Sequence, residues 1–369
     1  MKKTLLAVAV AAALPAVAFA QTNVTLSGNI KSGVSMHKFS NGATGNGSGN
    51  AVADGSSKFI ISGSEDLGGG LKAIFQWDNR LRPDDAGLAG NTGSGIIGNE
   101  LANGNSFVGV AGSFGQVRLG RLDQYYGMGI DGHAGAATAL TASSISILSY
   151  LNGAATAAPA TRTQNLLRFD SANYGGLRFG VGYSFAYTGQ EGLVGSASTV
   201  GDTQKGGAVA VDATYAAGPL SAGLAYFDAK NEAKTAGTEG IRGTVKYNFG
   251  MFDVALTVDQ SKNTAVAGNV EDKRTAYSIP VSAKLGPGTA MFTYTWAGDV
   301  KGTNAANNTG AKFIVVGYDY PFSKRTSLGV SYAVLNNESG AKYNMFTSAA
   351  LHNMPTAGVG QDSKQLYIG

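Results

Sequence analysis

The most constraining feature of this chain is a strict alternation between large apolar side chains and small or polar ones. Its longest run places large apolar residues at every second position: Leu177, Phe179, Val181, Tyr183, Phe185 and Tyr187. The same period recurs at 241–248, 252–259, 277–285 and 328–334. A period of two is typical of a β-strand with one apolar face, and no segment has the spacing of a convincing amphipathic helix. The sequence therefore predicts an all-β fold.

Short and long connections alternate between the predicted strands. The short ones have tight-turn composition and lie at 65–70, 113–115, 173–176, 217–219, 248–250, 286–288 and 321–324. The long ones are polar and rich in Gly, Asn and Ser, and lie at about 38–55, 82–103, 122–163, 189–205, 230–238, 262–272, 298–310 and 336–361. Short turns at one rim and long loops at the other are the organisation of an outer-membrane barrel. We therefore expect a 16-stranded antiparallel transmembrane β-barrel with short periplasmic turns and long outer loops.

A sheet exposed to lipid must have no open edge, because each unpaired backbone group in hydrocarbon costs several kcal/mol. About sixteen strands enclose a water-filled lumen rather than a packed core. We therefore expect the large apolar side chains to face lipid and the small and polar ones to face water inside. This arrangement is the reverse of that in a soluble protein.

The N-terminus has the three parts of a secretory signal peptide. Lys2 and Lys3 form a basic start, residues 5–13 are apolar, and residues 18–20 are small enough for cleavage. We expect residues 1–20 to be removed and residues 21–369 to form the mature barrel. No later segment is apolar enough to cross a bilayer as a helix, so the exported protein is either soluble or an outer-membrane barrel.

The composition excludes several classes of function. Charged residues make up only 14% of the chain, against about 25% in soluble domains. The net charge of +4 argues against a nucleic-acid partner, which needs a clustered basic face. The chain has no cysteine, so disulfides and thiolate chemistry are excluded.

Motifs that would indicate catalysis or metal binding are weak. Gly127, Gly129 and Gly132 have the spacing of a dinucleotide-binding motif, but no acidic residue follows about 20 positions later. Adjacent acids such as Glu65 and Asp66 point in opposite directions along an extended chain. The chain has three histidines with no ligand spacing between them: His37, His133 and His352. We expect no catalytic residue, no metal site and no cofactor.

Five short segments, in this order and spacing, resemble the Gram-negative general porins of the trimeric type found in betaproteobacteria. These segments are residues 24–28, 63–73, 114–121, 162–167 and 174–176. The resemblance implies a sixteen-stranded barrel, a homotrimer and a third long loop, at about 122–163, that folds into the lumen as a constriction. It also implies a barrel wall with basic residues at the constriction.

The chain departs from the family pattern at three places. Lys31 stands where the family often has Asp, and Asn-Gly-Asn at 103–105 replaces a basic cluster of some relatives. The family ends in an aromatic residue, whereas this sequence stops at Gly369. The last strand is therefore expected to be short.

Alternation and the resemblance together predict a set of basic side chains that line the lumen. The set is Lys31, Lys58, Arg118, Arg162, Arg178, Arg242, Lys246 and Lys284. By the resemblance, Lys58 stands where the family commonly has Arg, and Arg162 matches an Arg of the barrel wall at the end of the third loop. Asp123 and Asp131 of the constriction loop would face the basic set and shape a transverse field. Because a confined lumen focuses the field, we expect a mild anion preference that fades at high salt.

The leading prediction is a passive diffusion channel for small hydrophilic solutes in the outer membrane. Its expected partners are outer-membrane lipid, lipopolysaccharide and two further copies of the chain. Aromatic side chains near strand ends would anchor it at the interfaces: Trp77, Tyr187, Tyr247 and Trp296.

Three alternatives remain open. A substrate-selective channel would bind its solute at Tyr125, Tyr126 and Arg162. A soluble exported β-protein, such as an adhesin or lectin, would need a large apolar core. An outer-membrane enzyme would depend on His133.

Overall fold

The computed structural model describes residues 23–40, 47–81, 101–124, 142–152, 154–155, 162–185, 206–230, 236–265, 270–303, 306–345 and 357–369. These residues form 21 strands and one 3₁₀ turn, Ser144–Ser146, so the all-β prediction is confirmed. Within the same ranges, no helix is long and apolar enough to cross a bilayer. The predicted signal peptide lies outside the described residues.

The strands are numbered in chain order. The first ten are β1 (Asn23–Asn29), β2 (Ser32–Ser40), β3 (Gly47–Asp54), β4 (Lys58–Gly68), β5 (Leu71–Arg80), β6 (Ser106–Gly112), β7 (Gly115–Asp123), β8 (Tyr150–Leu151), β9 (Ala154–Ala155) and β10 (Arg162–Ser171). The others are β11 (Leu177–Ser184), β12 (Gly207–Ala217), β13 (Leu220–Lys230), β14 (Ala236–Asn248), β15 (Phe252–Ala265), β16 (Val270–Leu285), β17 (Gly288–Ala297), β18 (Lys301–Gly302), β19 (Ala311–Pro321), β20 (Ser327–Asn337) and β21 (Asp362–Ile368).

Nineteen of these strands form one antiparallel sheet, and β8 pairs with β9 in a separate two-stranded sheet. Successive strands are neighbours from β4 to β7 and from β10 to β17, and β7 pairs with β10. The ladder continues through β19, β20 and β21 to β2 near the start of the chain. At this end β2 also pairs with β3, and at the other end of the series β1 pairs with β4.

The sheet has nineteen strands rather than the predicted sixteen because two long strands are interrupted and one very short strand is added. Only residues 30–31 separate β1 from β2, and only residues 55–57 separate β3 from β4. The two-residue strand β18 pairs with the outer part of β16. At none of these three places does the chain turn back on itself between the two pieces.

Side-chain hydrogen bonds replace the backbone ladder at the interruption. The Ser57 hydroxyl accepts a hydrogen bond from the Lys31 N–H at 2.9 Å and donates one to the Lys31 carbonyl at 3.1 Å. The Asp54 carboxylate accepts from the backbone N–H groups of Ser56 and Ser57 at 2.7 and 2.9 Å. Because these bonds satisfy groups that a regular ladder would pair, both strands break at the same level.

Along many of the strands, exposed large apolar side chains alternate with covered side chains. In β11, Val181 is 45% exposed, whereas Gly180 and Gly182 are buried. In β12, Val211 is exposed and Ala210 is buried. A soluble protein does the opposite with its large apolar residues. We call the exposed apolar face outward and the covered face inner.

Residues 142–152, from the long connection between β7 and β10, pack on the inner face of the sheet. Ile147 and Leu148 are fully buried. They share one apolar cluster with side chains of β16, β17, β19 and β20, among them Ala276 and Phe313. This segment therefore fills space that alternation alone assigned to water.

Candidate functional site

A group of charged side chains gathers on the inner face where β4, β5, β7 and β10 begin or end. Lys58 is the first residue of β4 and lies directly opposite Arg80, the last residue of β5. The Lys58 ammonium interacts electrostatically with Arg80, Arg162, Asp78 and Asp123. We call these five residues the basic cluster. Three cations against two carboxylates leave it with a net positive charge.

Two ion pairs orient the basic cluster. Arg80 Nη2 donates to Asp78 Oδ2 at 3.0 Å, and its Nη1 donates to the Ser56 hydroxyl at 2.8 Å. Arg162 Nε lies 3.8 Å from Asp123 Oδ1. The Arg80 and Arg162 side chains are 13% and 16% exposed. Their charges are therefore held against the wall but remain in reach of solvent.

Asn103, Gly104 and Asn105 position the carboxylates of the basic cluster. Asn105 Nδ2 donates to Asp123 Oδ2 at 2.7 Å, and Asn105 N donates to Asp78 Oδ2 at 3.2 Å. The Asn103 side chain accepts from Arg80 N at 2.7 Å. A Cβ on Gly104 would come within 2.4 Å of the Asp78 carboxylate. These three residues therefore lie against Arg80 and the acidic groups of the cluster.

Asp78 and Arg80 belong to this site although neither was singled out from the sequence. Both occupy the positions of β5 that alternate with the outward residues Phe75 and Trp77. Applied to β5, the period of two would therefore have placed Asp78 and Arg80 on the inner face.

Lys31 lies between β1 and β2, at the interruption. Its stem covers Gly55, where a Cβ would come within 2.5 Å of Lys31 Cγ. Its charge interacts with the carboxylates of Asp319 and Asp54. Lys31 is therefore held in a local acidic environment rather than in the basic cluster.

Arg118 belongs to a second charged group, on β7, β10 and β12. It donates to Asp170 and lies over the Phe107 ring at 5.1 Å. Arg168 joins this group through Asp170 at 2.8 Å and Asp212 at 2.7 Å. A third bond, 2.9 Å long, runs from Arg168 to Gln124, at the start of the long connection.

Arg242 lies in a third group, which is completely buried. Arg242 Nε donates to Asp259 Oδ2 at 3.1 Å, and Arg274 Nη1 donates to Asp259 Oδ1 at 3.0 Å. Ser149, in the inner-face segment, donates its N–H to Asp259 at 3.2 Å and accepts from Arg242 through its hydroxyl. We call Arg242, Arg274, Asp259 and Ser149 the arginine anchor. It ties residues 142–152 to the wall, so Arg242 faces protein rather than water.

The other predicted basic residues lie on the inner face near the short turns. Lys246 is 42% exposed and 3.6 Å from Asp253. Arg178 and Lys284 are exposed as well. The structure therefore distributes the predicted set over several levels of the wall instead of bringing it together.

Several predicted residues lie outside the described part of the chain: Tyr125, Tyr126, Gly127, Gly129, Asp131, Gly132, His133, Tyr187 and His352. Within the described ranges, no three His, Asp or Glu side chains converge as metal ligands. His37 packs edge-on against Phe39 at 5.9 Å.

Comparison with known proteins gives the same answer at three levels. The family model for Gram-negative porins matches residues 7–340. The chain is 30% identical to outer membrane porin protein 32 of Delftia acidovorans, over 100% of this chain and 99% of the relative. It is 32% identical to the major outer membrane protein P.IB of Neisseria lactamica, over 95% and 98%. The solved anion-selective porin from Comamonas acidovorans is similar with a TM-score of 0.68 and 25% identity, over 94% of this chain and 99% of that one.

Proposed function

Because the chain belongs to the Gram-negative porin family, we propose that its sheet closes into a sixteen-stranded barrel around a wet path. Two observations support closure. The last strand, β21, pairs with β2 near the start of the chain. The two end strands of the pairing series, β1 and β3, continue into β2 and β4 after two and three residues. Counting each interrupted strand once, and leaving out β18, gives sixteen.

The protein is a general diffusion porin of the cell outer membrane, through which small hydrophilic solutes pass down their gradients. The single observation that carries this function is the orientation of the side chains. The outward rows of Val, Leu, Phe and Tyr are exposed, whereas charged residues such as Arg168 and Asp212 lie on the inner face. Such rows are stable against acyl chains and unstable against water.

The basic cluster would give the pore a mild anion preference. Lys58, Arg80 and Arg162 exceed the two carboxylates beside them by one charge. In a narrow lumen with low-dielectric walls, this excess raises the local concentration of anions. The solved porin from Comamonas acidovorans, which resembles this chain, is described as anion-selective.

The connection at about 122–163 would form the constriction. Support comes from residues 142–152, which lie on the inner face and are held there by the arginine anchor. The basic cluster lies at the two ends of this connection, because Asp123 ends β7 and Arg162 begins β10. Solutes would therefore pass between the anchored segment and the cluster.

The relatives are channels rather than enzymes, and the proposed passage uses no cofactor and no chemical step. The assembled form would be a homotrimer in contact with outer-membrane lipid and lipopolysaccharide, as the family resemblance implies. Aromatic side chains on the outward face, such as Trp77 and Trp296, would lie at the membrane interfaces.

Conductance measurements test the function directly. Full-length protein, folded in detergent, is inserted into a planar lipid bilayer between unequal KCl solutions. We expect conductance steps in groups of three and a reversal potential shifted toward that of chloride. Folded protein that inserts without conducting would contradict the channel function, and a shift toward potassium would contradict the anion preference.

A further inference from the structure

The start of β10 contains one residue more than the part of β7 with which it pairs. Thr163 pairs with Leu122 and Leu166 pairs with Gly120, so residues 164–165 lie opposite a single residue of β7. Two residues opposite one are a β-bulge. Thr163 and Leu166 are each 1% exposed, although residues three apart in a regular strand face opposite sides. Pairing and burial therefore both place an extra residue here, and we call residues 164–165 the bulge.

Asn165 gives the bulge its backbone conformation. Its φ is +51°, in the left-handed region. Of the strand residues that the structure describes, it is the only one other than glycine with a positive φ. Glycine adopts this region freely and asparagine tolerates it, whereas a side chain branched at Cβ does not. The residue type at this position therefore permits the bulge.

The next strand, β11, and the residue after it hold the bulge from the side opposite β7. Phe185 N donates to the Asn165 carbonyl at 3.1 Å. The Ser184 hydroxyl donates to the Gln164 carbonyl at 2.8 Å, and Ser184 is completely buried. Both carbonyls of the bulge are thus paired, as buried backbone groups require.

The bulge fixes the position of Arg162. In the structure Arg162 pairs with Asp123, and its Nε lies 3.8 Å from Asp123 Oδ1. A regular ladder continued from Leu166 would instead bring Thr163 opposite Asp123. Arg162 would then lie one residue further along β7, which is roughly 3.3 Å. The ion pair that joins Arg162 to the basic cluster therefore depends on the extra residue.

We propose that Asn165 is a positioning residue for the anion preference of the pore, because its left-handed conformation sets the register in which Arg162 meets Asp123. The inference deepens the proposed function and rests on it, since the basic cluster selects ions only in a conducting pore. Asn165 acts through Arg162. The register itself is a property of the folded chain and can be measured without current.

Paired cysteines measure the register, because the chain has no cysteine of its own. The variant R162C/D123C places thiols at directly paired positions, where Cα atoms lie about 4.5–5.5 Å apart, within the range of a disulfide. In detergent-folded full-length protein we expect it to oxidise about tenfold faster than T163C/D123C, whose positions are offset by one residue. Adding N165V is expected to lower this ratio about tenfold, since a branched side chain disfavours the left-handed conformation. Adding N165G is expected to leave the ratio unchanged.

Bilayer recording in a KCl gradient measures the effect on selectivity. N165V is expected to lose as much of the shift toward chloride as R162Q, and N165G is expected to match wild type. Because Asn165 acts through Arg162, R162Q/N165V is expected to equal R162Q. The matched control is N336V, which makes the same change at an exposed, regularly paired position of β20 and is expected to match wild type.

A second variant keeps the test available if N165V does not fold. S184A removes one of the two bonds that hold the bulge, and it is expected to move both readouts in the direction of N165V by a smaller amount. The proposal is overturned if N165V or, in its place, S184A leaves both readouts unchanged. It is also overturned if N165G loses the register, if N336V shifts the reversal potential as N165V does, or if R162Q/N165V loses more selectivity than R162Q.

The two readouts separate this proposal from the channel function. Folded protein with the expected disulfides but no current would contradict the channel function and leave the register as measured. Conducting protein in which N165V changes the disulfides without changing the reversal potential would overturn the positioning role of Asn165 and leave the channel function intact.

Discussion

The basic cluster and the arginine anchor use the same residue types on the same inner face, yet they differ in burial. Arg80 and Arg162 keep 13% and 16% of their side chains exposed. Arg242, Arg274 and Asp259 expose none. A charge that touches water acts on passing ions, whereas a charge that is wholly enclosed acts only on its protein partners. Burial, rather than sign or position along a strand, therefore decides which of these arginines can act on ions in solution.

The largest expected effect is at the carboxylate of the arginine anchor. The substitution Asp259→Asn removes the charge that two buried guanidinium groups share. Breaking a buried pair in this way costs about 3–5 kcal/mol. We expect the free energy of unfolding of detergent-folded protein, measured in urea, to fall by that amount. We also expect the single-channel current to become noisier because residues 142–152 lose their attachment. The control is Asp253→Asn, which breaks a half-exposed pair with Lys246 and should cost less than about 1 kcal/mol. Equal losses of unfolding free energy in Asp259→Asn and Asp253→Asn would contradict the distinction between enclosed and exposed charges.

The second effect concerns selectivity. Reversing two charges with Lys58→Glu and Arg80→Glu makes the basic cluster net negative. We expect the reversal potential in a KCl gradient to change sign toward potassium, with a smaller effect on unfolding than that of Asp259→Asn. The matched control reverses Arg178 and Lys246, which lie on the inner face near the short turns. A control shift as large as the cluster's would show that location on the wall does not matter.

A smaller effect is expected from the side chain that positions the carboxylates. Asn105→Ala removes the amide that donates to Asp123 and accepts from its N–H at 2.8 Å. The loss of these bonds should cost about 1 kcal/mol and shift the reversal potential by less than the charge reversal does. Unfolding in urea and bilayer recording measure the two quantities. If neither the free energy of unfolding nor the reversal potential changed, Asn105 would not be holding the carboxylates of the basic cluster.

The smallest effect is that of salt. The screening length falls from about 10 Å at 0.1 M to about 3 Å at 1 M ionic strength. We expect the anion preference to fade over this range because the basic cluster meets solvent. The difference in unfolding free energy between wild type and Asp259→Asn should stay constant, because the anchor is enclosed. Bilayer recording and urea unfolding at both salt concentrations measure the two quantities. If salt lowered both the anion preference and the difference in unfolding free energy, the expectation would be contradicted.

Alternation was sufficient to predict the sheet and its two faces. The row from Leu177 to Phe185 is outward in the structure, and its neighbours are covered. The number of strands was not predictable in the same way. The number depends in part on whether the Ser57 hydroxyl bonds to the backbone of Lys31. The sequence pattern around Ser57 is that of a strand and does not indicate this bond.

The site was only partly predictable, for a different reason. Lys58 and Arg162 could be placed on the inner face from pattern and resemblance, and the same period applied to 71–80 would have added Asp78 and Arg80. The arginine anchor could not be found in this way, because Ser149 and its partner Asp259 are 110 positions apart. No periodic pattern reports which loop residue meets which strand, so Arg242 could not be recognised as enclosed.

The attachment of Ser149, Ile147 and Leu148 to the wall makes one short segment depend on strands that are distant in sequence. Its polar contacts are with Asp259 and Arg242, and its apolar contacts include side chains of β16, β17, β19 and β20. A substitution on those strands can therefore loosen the segment as effectively as a substitution within it. On the proposed function, the diameter available to nutrients is inherited through the wall as much as through the loop.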